Sequence, residues 1–277
     1  MIDIKWHDEN AEKLTLHEKD GVIWLSFPLL DREKWLGNSF STRFGGVSSG
    51  CLASMNLSFA RESSRENVLE NFRRFSMAAG FSPDHIICSD QAHTANIRLV
   101  HKNDCGAGIS RPLPWNEIDG LITNEPGCVL TTFYADCVPI FLADPVHRAI
   151  GLCHSGWRGT VRKISQKAIL AMQENFGSRP EDLLAQIGPS ICRESYEVSR
   201  ETAEKFDWKF SKKKDNGKYL LDLWEANRDI LLMAGIPASH IGLPNLCTAC
   251  NPELLFSHRA SGGKRGNMAA FLEIKET

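Results

Sequence analysis

One thiol and two imidazoles are the groups of this sequence whose types and spacing point most directly to chemistry. Cys137 opens one apolar stretch and His154 closes the next, so both residues are expected at neighbouring ends of a hairpin. His93, in the segment Gln91-Ala92-His93-Thr94, offers a second imidazole upstream. One thiolate and two imidazoles would supply three ligands to a zinc-like ion and leave a fourth position free, which is typical of catalytic zinc sites.

The segment that follows His154, Ser155-Gly156-Trp157-Arg158-Gly159-Thr160, is a glycine-rich turn that leads into a predicted helix. The first backbone amides of a helix have no partner inside it, so such a turn suits a phosphate or a developing oxyanion. Arg158 could add a bidentate contact. Alternatively, the glycines only permit a sharp corner and Thr160 is the N-cap. Asp136 and Ser155 are expected to orient the adjacent ligands.

A second loop rich in glycine and serine, residues 41–50, contains Arg43 and a nominal G-x-S-x-G at 46–50. A nucleophile elbow requires a strand before this motif and a helix after it. Residues 51–56 do not predict a helix, so we exclude a serine hydrolase. Arg43 is retained as a candidate for substrate contact.

Cys247 and Cys250 form a C-x-x-C pair with no second pair at zinc-finger spacing. A nominal H-x-E occurs at 7–9, but Leu246 precedes Cys247 where the zinc deaminase signature has proline. A site of the cytidine deaminase type is therefore not expected. We interpret the pair as structural or simply reduced thiols.

Composition excludes several classes of protein. The chain has 277 residues, 42% of them apolar and 24% charged, with 32 basic against 34 acidic side chains. This balance predicts a globular protein without a nucleic-acid footprint, and no apolar run is long enough to span a membrane. The first residues lack a signal-peptide pattern, so a cytoplasmic location is expected. Nine cysteines, an odd number, favour free thiols in a reducing compartment.

Helical and strand-like patterns alternate irregularly along the chain, and 277 residues are enough for one large domain. Ser63 and Glu66 suggest a capping box for the first helix, which Gly80 would end. Segment 209–218 reads as a polar surface loop. The predicted helices cover 64–79, 160–176 and 224–234, and the predicted strands cover 85–89, 97–101, 121–123, 129–134, 138–143, 148–154, 183–187, 253–258 and 267–274. We expect a single domain, residues 1–277, of α+β class with mixed β-sheets flanked by helices.

Nine short motifs follow one another in a fixed order along the chain. They are T-R-F-G-G-V-S (42–48), N-L (56–57), Q-A-H (91–93), D-G-L-I-T (119–123), A-D-C-V-P-I (135–140), H-S-G-W-R-G-T (154–160), I-G-P-S-I (187–191), Y-E-V (196–198) and F-S-H-R (256–259). Together they resemble the YfiH-like family, first described as polyphenol oxidoreductase or laccase and now as purine nucleoside phosphorylase. The resemblance extends from about residue 41 to residue 274.

The resemblance implies a zinc ion on His93, Cys137 and His154. It also implies phosphorolysis of adenosine, inosine and methylthioadenosine to a base and ribose 1-phosphate, together with deamination of adenosine. A copper-dependent oxidation of phenols has also been ascribed to the family. The expected partners are thus purine nucleosides and phosphate. One departure stands out: the family commonly has arginine where this chain has Asn267, so Arg265 or Lys264 would have to supply the cation.

Several mechanisms remain open from the residues alone. Zinc would act as a Lewis acid and activate water for deamination, while Arg43, Arg158 and the helix start near Thr160 would hold phosphate. The same three ligands would accept copper, although they serve only one ion and a laccase needs several. A metal-free hydrolase would instead use Cys137 as nucleophile with a histidine as base. The third class of hypothesis is a non-catalytic regulator that retains the family's binding pocket. The oligomeric state is not indicated.

Overall fold

The structure is a computed structural model that describes residues 3–276. The described residues form fifteen strands and six α-helices, joined by short 3₁₀ turns. The strands are β1 (Thr15–Lys19), β2 (Val22–Ser26), β3 (Leu36–Ser41), β4 (Ile86–Cys88), β5 (Ile97–Leu99), β6 (Gly120–Thr123), β7 (Val129–Tyr134), β8 (Val138–Asp144), β9 (Ala149–Ser155), β10 (Leu184–Ile187), β11 (Glu197–Val198), β12 (Ser211–Lys213), β13 (Tyr219–Leu221), β14 (Ile241–Gly242) and β15 (Met268–Ile274). The helices are α1 (Pro28–Asp31), α2 (Arg65–Ala79), α3 (Trp157–Val161), α4 (Ile164–Phe176), α5 (Arg200–Ala203) and α6 (Leu223–Met233).

Two six-stranded mixed sheets form the centre of the molecule. The first has the strand order β1-β2-β3-β15-β7-β4, and the second has the order β14-β10-β8-β9-β6-β5. A core that includes Phe40, Leu130, Phe141 and Leu152 lies between the two sheets. Helix α2 packs on the outer face of the first sheet, and α4 and α6 cover the second. The predicted α+β class with mixed sheets flanked by helices is confirmed.

The β8–β9 hairpin positions two of the candidate ligands. All residues of both strands are buried, which explains their continuous apolar character. The Asp144 carboxylate accepts hydrogen bonds from the amides of Val146 and His147 and closes the turn. The register pairs Pro139 with His154, so Cys137 lies next to His154 at one end of the hairpin, as the sequence predicted.

Helix α2 begins one residue later than its predicted capping box requires. Ser64 is the N-cap, and its hydroxyl accepts a hydrogen bond from the amide of Asn67 at 3.3 Å. The predicted pairing of Ser63 with Glu66 is therefore wrong by one position. Gly80 ends the helix in the left-handed region, with φ of 90°, as expected.

The single helix predicted over 160–176 is two helices. Helix α3 starts at Trp157, with Gly156 as its N-cap, and α4 starts at Ile164. Lys163 between them has a left-handed φ of 54°, which no α-helix interior can contain. Thr160 therefore lies in the last turn of a short helix and is not the N-cap.

The C-terminal region has one strand where two were predicted. Residues 253–258 form turns, because the amides of Leu254 and Leu255 both bond back to the carbonyl of Asn251. A short buried apolar run does not by itself distinguish a strand from a turn that packs against the core. Segment 209–218 also differs from its prediction, since it contains strand β12, which pairs with β13. None of the helices within residues 3–276 combines the length and apolarity needed to cross a bilayer.

Candidate metal centre and its cavity

Three potential ligand atoms converge at one end of the β8–β9 hairpin. One atom each from His93, Cys137 and His154 lie within 4.8 Å of one another. The Cys137 Sγ and the His93 Nε2 are 3.9 Å apart. His154 is buried, whereas Cys137 is partly exposed and His93 is accessible to solvent. The structure brings together the three residues that the sequence singled out, and metal binding by them stays a prediction.

Asp119 orients His154. The Nδ1 of His154 lies 2.7 Å from Asp119 Oδ1, and the His154 amide donates to the Asp119 carbonyl at 2.7 Å. Both side chains are almost completely buried. A hydrogen bond at Nδ1 fixes the ring tautomer and leaves Nε2 as the nitrogen that faces the other two candidate ligands.

The same carboxylate also holds the loop that carries His93. It accepts hydrogen bonds from the amides of Ala92, His93 and Thr94 at 2.8 to 3.1 Å, and from the Thr94 hydroxyl at 2.8 Å. These bonds hold His93 in the left-handed region, at a φ of 58°, which non-glycine residues rarely adopt. No role for Asp119 followed from the sequence, although the residue begins the D-G-L-I-T motif.

Electrostatics keep the Asp119 carboxylate charged and favour the ligating form of Cys137. Burial alone would raise the pKa of Asp119, but the hydrogen bonds from His154 and Thr94 lower it to about 2. Burial would likewise raise the pKa of the Cys137 thiol, yet the neighbouring imidazoles of His154 and His93 bring it below its ordinary value. The Cys137 sulfur is therefore predisposed to the thiolate form that binds metals. Burial would lower the pKa of His154, but Cys137 and Asp119 raise it to about 9, so metal binding would displace a proton from this imidazole.

Asp136 and Ser155, which were expected to orient the ligands, make other contacts. The Asp136 carboxylate accepts hydrogen bonds from the Thr248 hydroxyl at 2.6 Å and from the Arg259 amide at 2.7 Å. Asp136 has a left-handed φ of 93°, so these bonds support a strained backbone next to the cysteine. The Ser155 hydroxyl donates to the Asn227 side chain at 2.8 Å. The expectation was wrong because the orienting carboxylate comes from Asp119.

The three residues line a cavity of about 350 Å³. That volume falls within the usual size of small-molecule sites. Apolar side chains form one part of its wall: Leu57, Phe59, Leu113 and Phe133. Polar side chains line the remainder: Ser58, Ser89, Asp90, Gln91, Arg265 and Asn267. The cavity thus has an apolar part and a polar part, as small-molecule sites commonly do.

Gly156 creates space between the ligands. A Cβ at this position would lie 2.9 Å from Cδ2 of His93 and 3.1 Å from Sγ of Cys137. Both distances are shorter than ordinary van der Waals contacts. The absence of a side chain here therefore leaves room among the three donor atoms, and this fits a bound ion.

Two polar atoms in the cavity wall have no hydrogen-bond partner. They are Nε of Arg265 and Oδ1 of Asn267, and both atoms are buried. Buried polar atoms are almost always paired in a protein, so an unpaired donor and an unpaired acceptor beside one cavity suggest a missing ligand. Of the two cations proposed to replace the family arginine, Arg265 lines both this cavity and a smaller neighbouring one, whereas Lys264 is exposed and lines the smaller one.

The predicted phosphate contacts lie elsewhere. Arg43 donates to the carbonyls of Ala53 and Pro252 and lines the smaller cavity with Lys264. Arg158 is exposed, with its guanidinium over the Trp157 ring.

Thr160 is the least accessible of the three predicted contacts. It is 2% exposed, and its hydroxyl bonds to Ser155, to the carbonyl of Gly156 and to Asn227. The structure does not bring Arg43, Arg158 or Thr160 into contact with the metal ligands, and their phosphate role stays a prediction that this geometry does not favour.

Comparison with known proteins agrees with this fold. The profile of the multi-copper polyphenol oxidoreductase laccase family matches residues 38–275. The chain is 36% identical over 249 residues to purine nucleoside phosphorylase YlmD of Geobacillus stearothermophilus, covering 85% of this chain and 89% of that protein. It is 34% identical over 258 residues to a purine nucleoside phosphorylase of Bacteroides thetaiotaomicron, covering 90% and 96%.

Solved structures show the same fold. The crystal structure of the Geobacillus stearothermophilus YlmD superposes with a TM-score of 0.87 at 33% identity, covering 94% of this chain and 98% of that one. The Bacillus licheniformis protein YfiH gives a TM-score of 0.86 at 29% identity, covering 94% and 99%. The chain belongs to the laccase-like YfiH family.

Proposed function

We propose that this protein is a zinc-dependent purine nucleoside phosphorylase that also deaminates adenosine. Its substrates would be adenosine, inosine or methylthioadenosine together with phosphate, and its phosphorolysis products a free base and ribose 1-phosphate. The observation that carries the proposal is the convergence of His93, Cys137 and His154 in a cavity whose wall is apolar on one side. The names of the relatives, purine nucleoside phosphorylases, support the phosphorylase part of this proposal.

The donor set fits zinc. His93, Cys137 and His154 would hold the ion, since thiolate and imidazole are both zinc ligands and three protein ligands leave the open position that catalytic zinc sites keep. When bound, zinc supplies Lewis acidity to the cavity. Copper would accept the same donors, which is the physical basis for an oxidase alternative. The three residues serve a single ion, however, and a laccase needs several, so we favour zinc.

The apolar part of the cavity is the proposed purine site. The rings of Phe59 and Phe133 both line it. Phe59 is held in place by the Arg65 guanidinium, which lies 4.5 Å from its ring centre. Aromatic surfaces of this kind bury a purine ring and exclude water from the glycosidic bond.

Arg265 is the proposed phosphate contact. Burial and the proximity of Arg61 lower its pKa to about 10, so the guanidinium is still charged at neutral pH. A partly desolvated guanidinium with an unpaired Nε is suited to a phosphate oxygen. In the phosphorolysis, this oxygen forms a bond to C1′ as the bond from C1′ to the purine nitrogen breaks, and the leaving purine takes up a proton. The side-chain Oδ1 of Asn267 would accept a hydrogen bond from the nucleoside.

A metal-free hydrolase is the second candidate, because Cys137 lies beside two imidazoles and its thiol has a lowered pKa. In that mechanism the thiolate would attack an acyl carbon, and a histidine would protonate the leaving group. The two candidates differ in their dependence on metal and in their substrates.

The deciding experiment is chromatography of the products from adenosine, inosine and methylthioadenosine, with and without phosphate, before and after chelation. We expect phosphate-dependent release of base, phosphate-independent formation of inosine from adenosine, and the loss of both on chelation. Full activity in metal-free protein would contradict the zinc mechanism. Failure to convert any of the three nucleosides would contradict the proposed function as a whole and would favour the hydrolase or a non-catalytic role.

A further inference from the structure

A second group of metal-ligating side chains lies outside the cavity. The sulfur atoms of Cys192, Cys247 and Cys250 are all within 4.8 Å of one another. Cys192 follows the loop after β10, whereas the other two form the C-x-x-C pair. The first two thiols are buried, and Cys250 is partly exposed. The fold therefore adds a third thiol to a pair that looked isolated in the sequence.

A hydroxyl group completes the cluster. The Ser195 Oγ lies 3.5 Å from Cys192 Sγ, 3.5 Å from Cys250 Sγ and 3.9 Å from Cys247 Sγ. In a tetrahedral site with metal–sulfur bonds of about 2.3 Å and a metal–oxygen bond of about 2.0 Å, a sulfur and an oxygen ligand are separated by about 3.5 Å. The distances from Ser195 Oγ to the three sulfurs are thus close to those in such a tetrahedron, and the sulfurs lie within 4.8 Å of one another.

The backbone around Cys247 stabilises a thiolate. Its sulfur accepts a hydrogen bond from the Cys192 amide at 3.3 Å. A hydrogen bond from the Cys192 thiol is the main reason why the pKa of Cys247 is lowered, and the amides of Cys192 and Cys250 contribute in the same direction against the effect of burial. The same thiol–thiol hydrogen bond, together with burial, raises the pKa of Cys192, which would lose its proton only when a metal binds. Amide donors to the first sulfur of a C-x-x-C turn favour the charged form that metals require.

We propose that Cys192, Cys247 and Cys250, with Ser195 as the fourth ligand, form a second metal site that binds a thiophilic divalent cation such as zinc. Four protein ligands leave no open position, so the site would be structural. Binding releases the three thiol protons to solvent and leaves one net negative charge on the cluster. Arg259 lies beside it, with its guanidinium donating to the Ser195 carbonyl at 3.2 Å, and would offset that charge.

The position of the cluster indicates what this ion would stabilise. Thr248, inside the C-x-x-C turn, donates to the Asp136 carboxylate at 2.6 Å, and the Ile191 amide donates to the Asp136 carbonyl at 3.0 Å. Both contacts come from residues next to proposed ligands of the second ion. An ion that fixes these two loops would therefore support the strained backbone that precedes Cys137.

The test measures zinc in protein that lacks the first site, because the two sites would otherwise be counted together. We expect the double variant His93→Ala/Cys137→Ser to retain about one zinc per chain. Adding Cys250→Ser should lower the zinc affinity by more than about 100-fold, because loss of a direct ligand should exceed the 10- to 100-fold effect of losing an outer contact. Adding Cys51→Ser, at an exposed thiol, should leave zinc binding unchanged.

Substitutions of Ser195 test whether this residue is the fourth ligand, because one of them should increase the zinc affinity. In the same double variant, Ser195→Cys should tighten zinc binding by supplying a fourth sulfur, whereas Ser195→Ala should weaken it. A cluster that only packs the core would show neither effect. The proposal is overturned if the double variant binds no zinc, or if Cys250→Ser does not weaken binding. It is also overturned if the native protein shows a mass loss of two hydrogens with a disulfide among these cysteines, since that would indicate a redox pair.

Discussion

The Nδ1 of His154 and the Oδ1 of Asp119 form a buried hydrogen bond of 2.7 Å, and the same carboxylate accepts the amide of His93. One acidic side chain therefore sets the ring orientation of one proposed ligand and the backbone conformation of another. The arrangement links two segments of the chain that are about sixty residues apart, and the proposed metal centre depends on it.

Asp119→Asn should disrupt the site while leaving its ligands present. An amide has one acceptor oxygen in place of two, so the contacts to His154 and to residues 92–94 cannot all be kept. We expect zinc affinity to fall by about 10- to 100-fold and nucleoside turnover to fall with it. Asp90→Asn, a carboxylate in the wall of the same cavity, is the matched control for zinc affinity. Unchanged zinc affinity in Asp119→Asn would show that this carboxylate does not orient the ligands.

His93→Ala should abolish turnover and leave the fold intact, because His93 is accessible and contributes to no core. Metal analysis should show the loss of one equivalent of zinc. Circular dichroism should show an unfolding temperature close to that of the unmodified protein. His101→Ala removes another exposed imidazole and should change neither activity nor metal content. Normal turnover by His93→Ala would mean that the ligand assignment is wrong.

Arg265→Ala should raise the KM for phosphate by roughly 10- to 100-fold, since a charge-assisted hydrogen bond contributes about 1.5–3 kcal/mol. The neighbouring Lys264→Ala should change this KM by less than about twofold, because its side chain is exposed outside the main cavity. Initial rates at varied phosphate concentration test both variants. An equal effect of the two substitutions would assign the phosphate site to the smaller cavity.

Glu273 should make stability dependent on pH. Burial raises the pKa of this carboxyl to about 7, from an ordinary value of 4.5. A carboxyl with a raised pKa stabilises the fold when protonated, so its contribution is complete below about pH 4.5 and is lost as the pH rises through about 7.

Glu273→Gln removes this titration. We expect it to increase the free energy of unfolding by about 1 to 3 kcal/mol at pH 8 and to have little effect at pH 4.5. Thermal unfolding at the two pH values provides the measurement. Glu18→Gln, at an exposed position on β1, is the control. A Glu273→Gln variant with the same pH dependence as the unmodified protein would contradict the assignment.

The sequence was most informative where local pattern and structure coincide. The buried runs on either side of Asp144 predicted the hairpin, and with it the proximity of Cys137 to His154. Gly80 ends helix α2 in the left-handed conformation, as its position suggested. In each case the signal lies within a few residues of the feature it predicts.

Other features depend on contacts between distant segments and could not be obtained in that way. Asp119 contacts His154 and residues 92–94 only because β6 pairs with β9 in the second sheet. The grouping of Cys192 with Cys247 and Cys250 likewise requires the loop after β10 to meet a segment more than fifty residues away. The break at Lys163 has no local signal, since neither glycine nor proline marks it.

The backbone conformation at Gly156 permits a substitution that tests the space among the three donor atoms. Its φ of −68° suits any L-amino acid, so alanine would fit the backbone while its methyl group fills the gap between His93 and Cys137. Gly156→Ala would thus keep all three donor side chains while its methyl group occupies the space among them. If the proposed turnover needs an ion in that space, this variant should lose it although every proposed ligand is present.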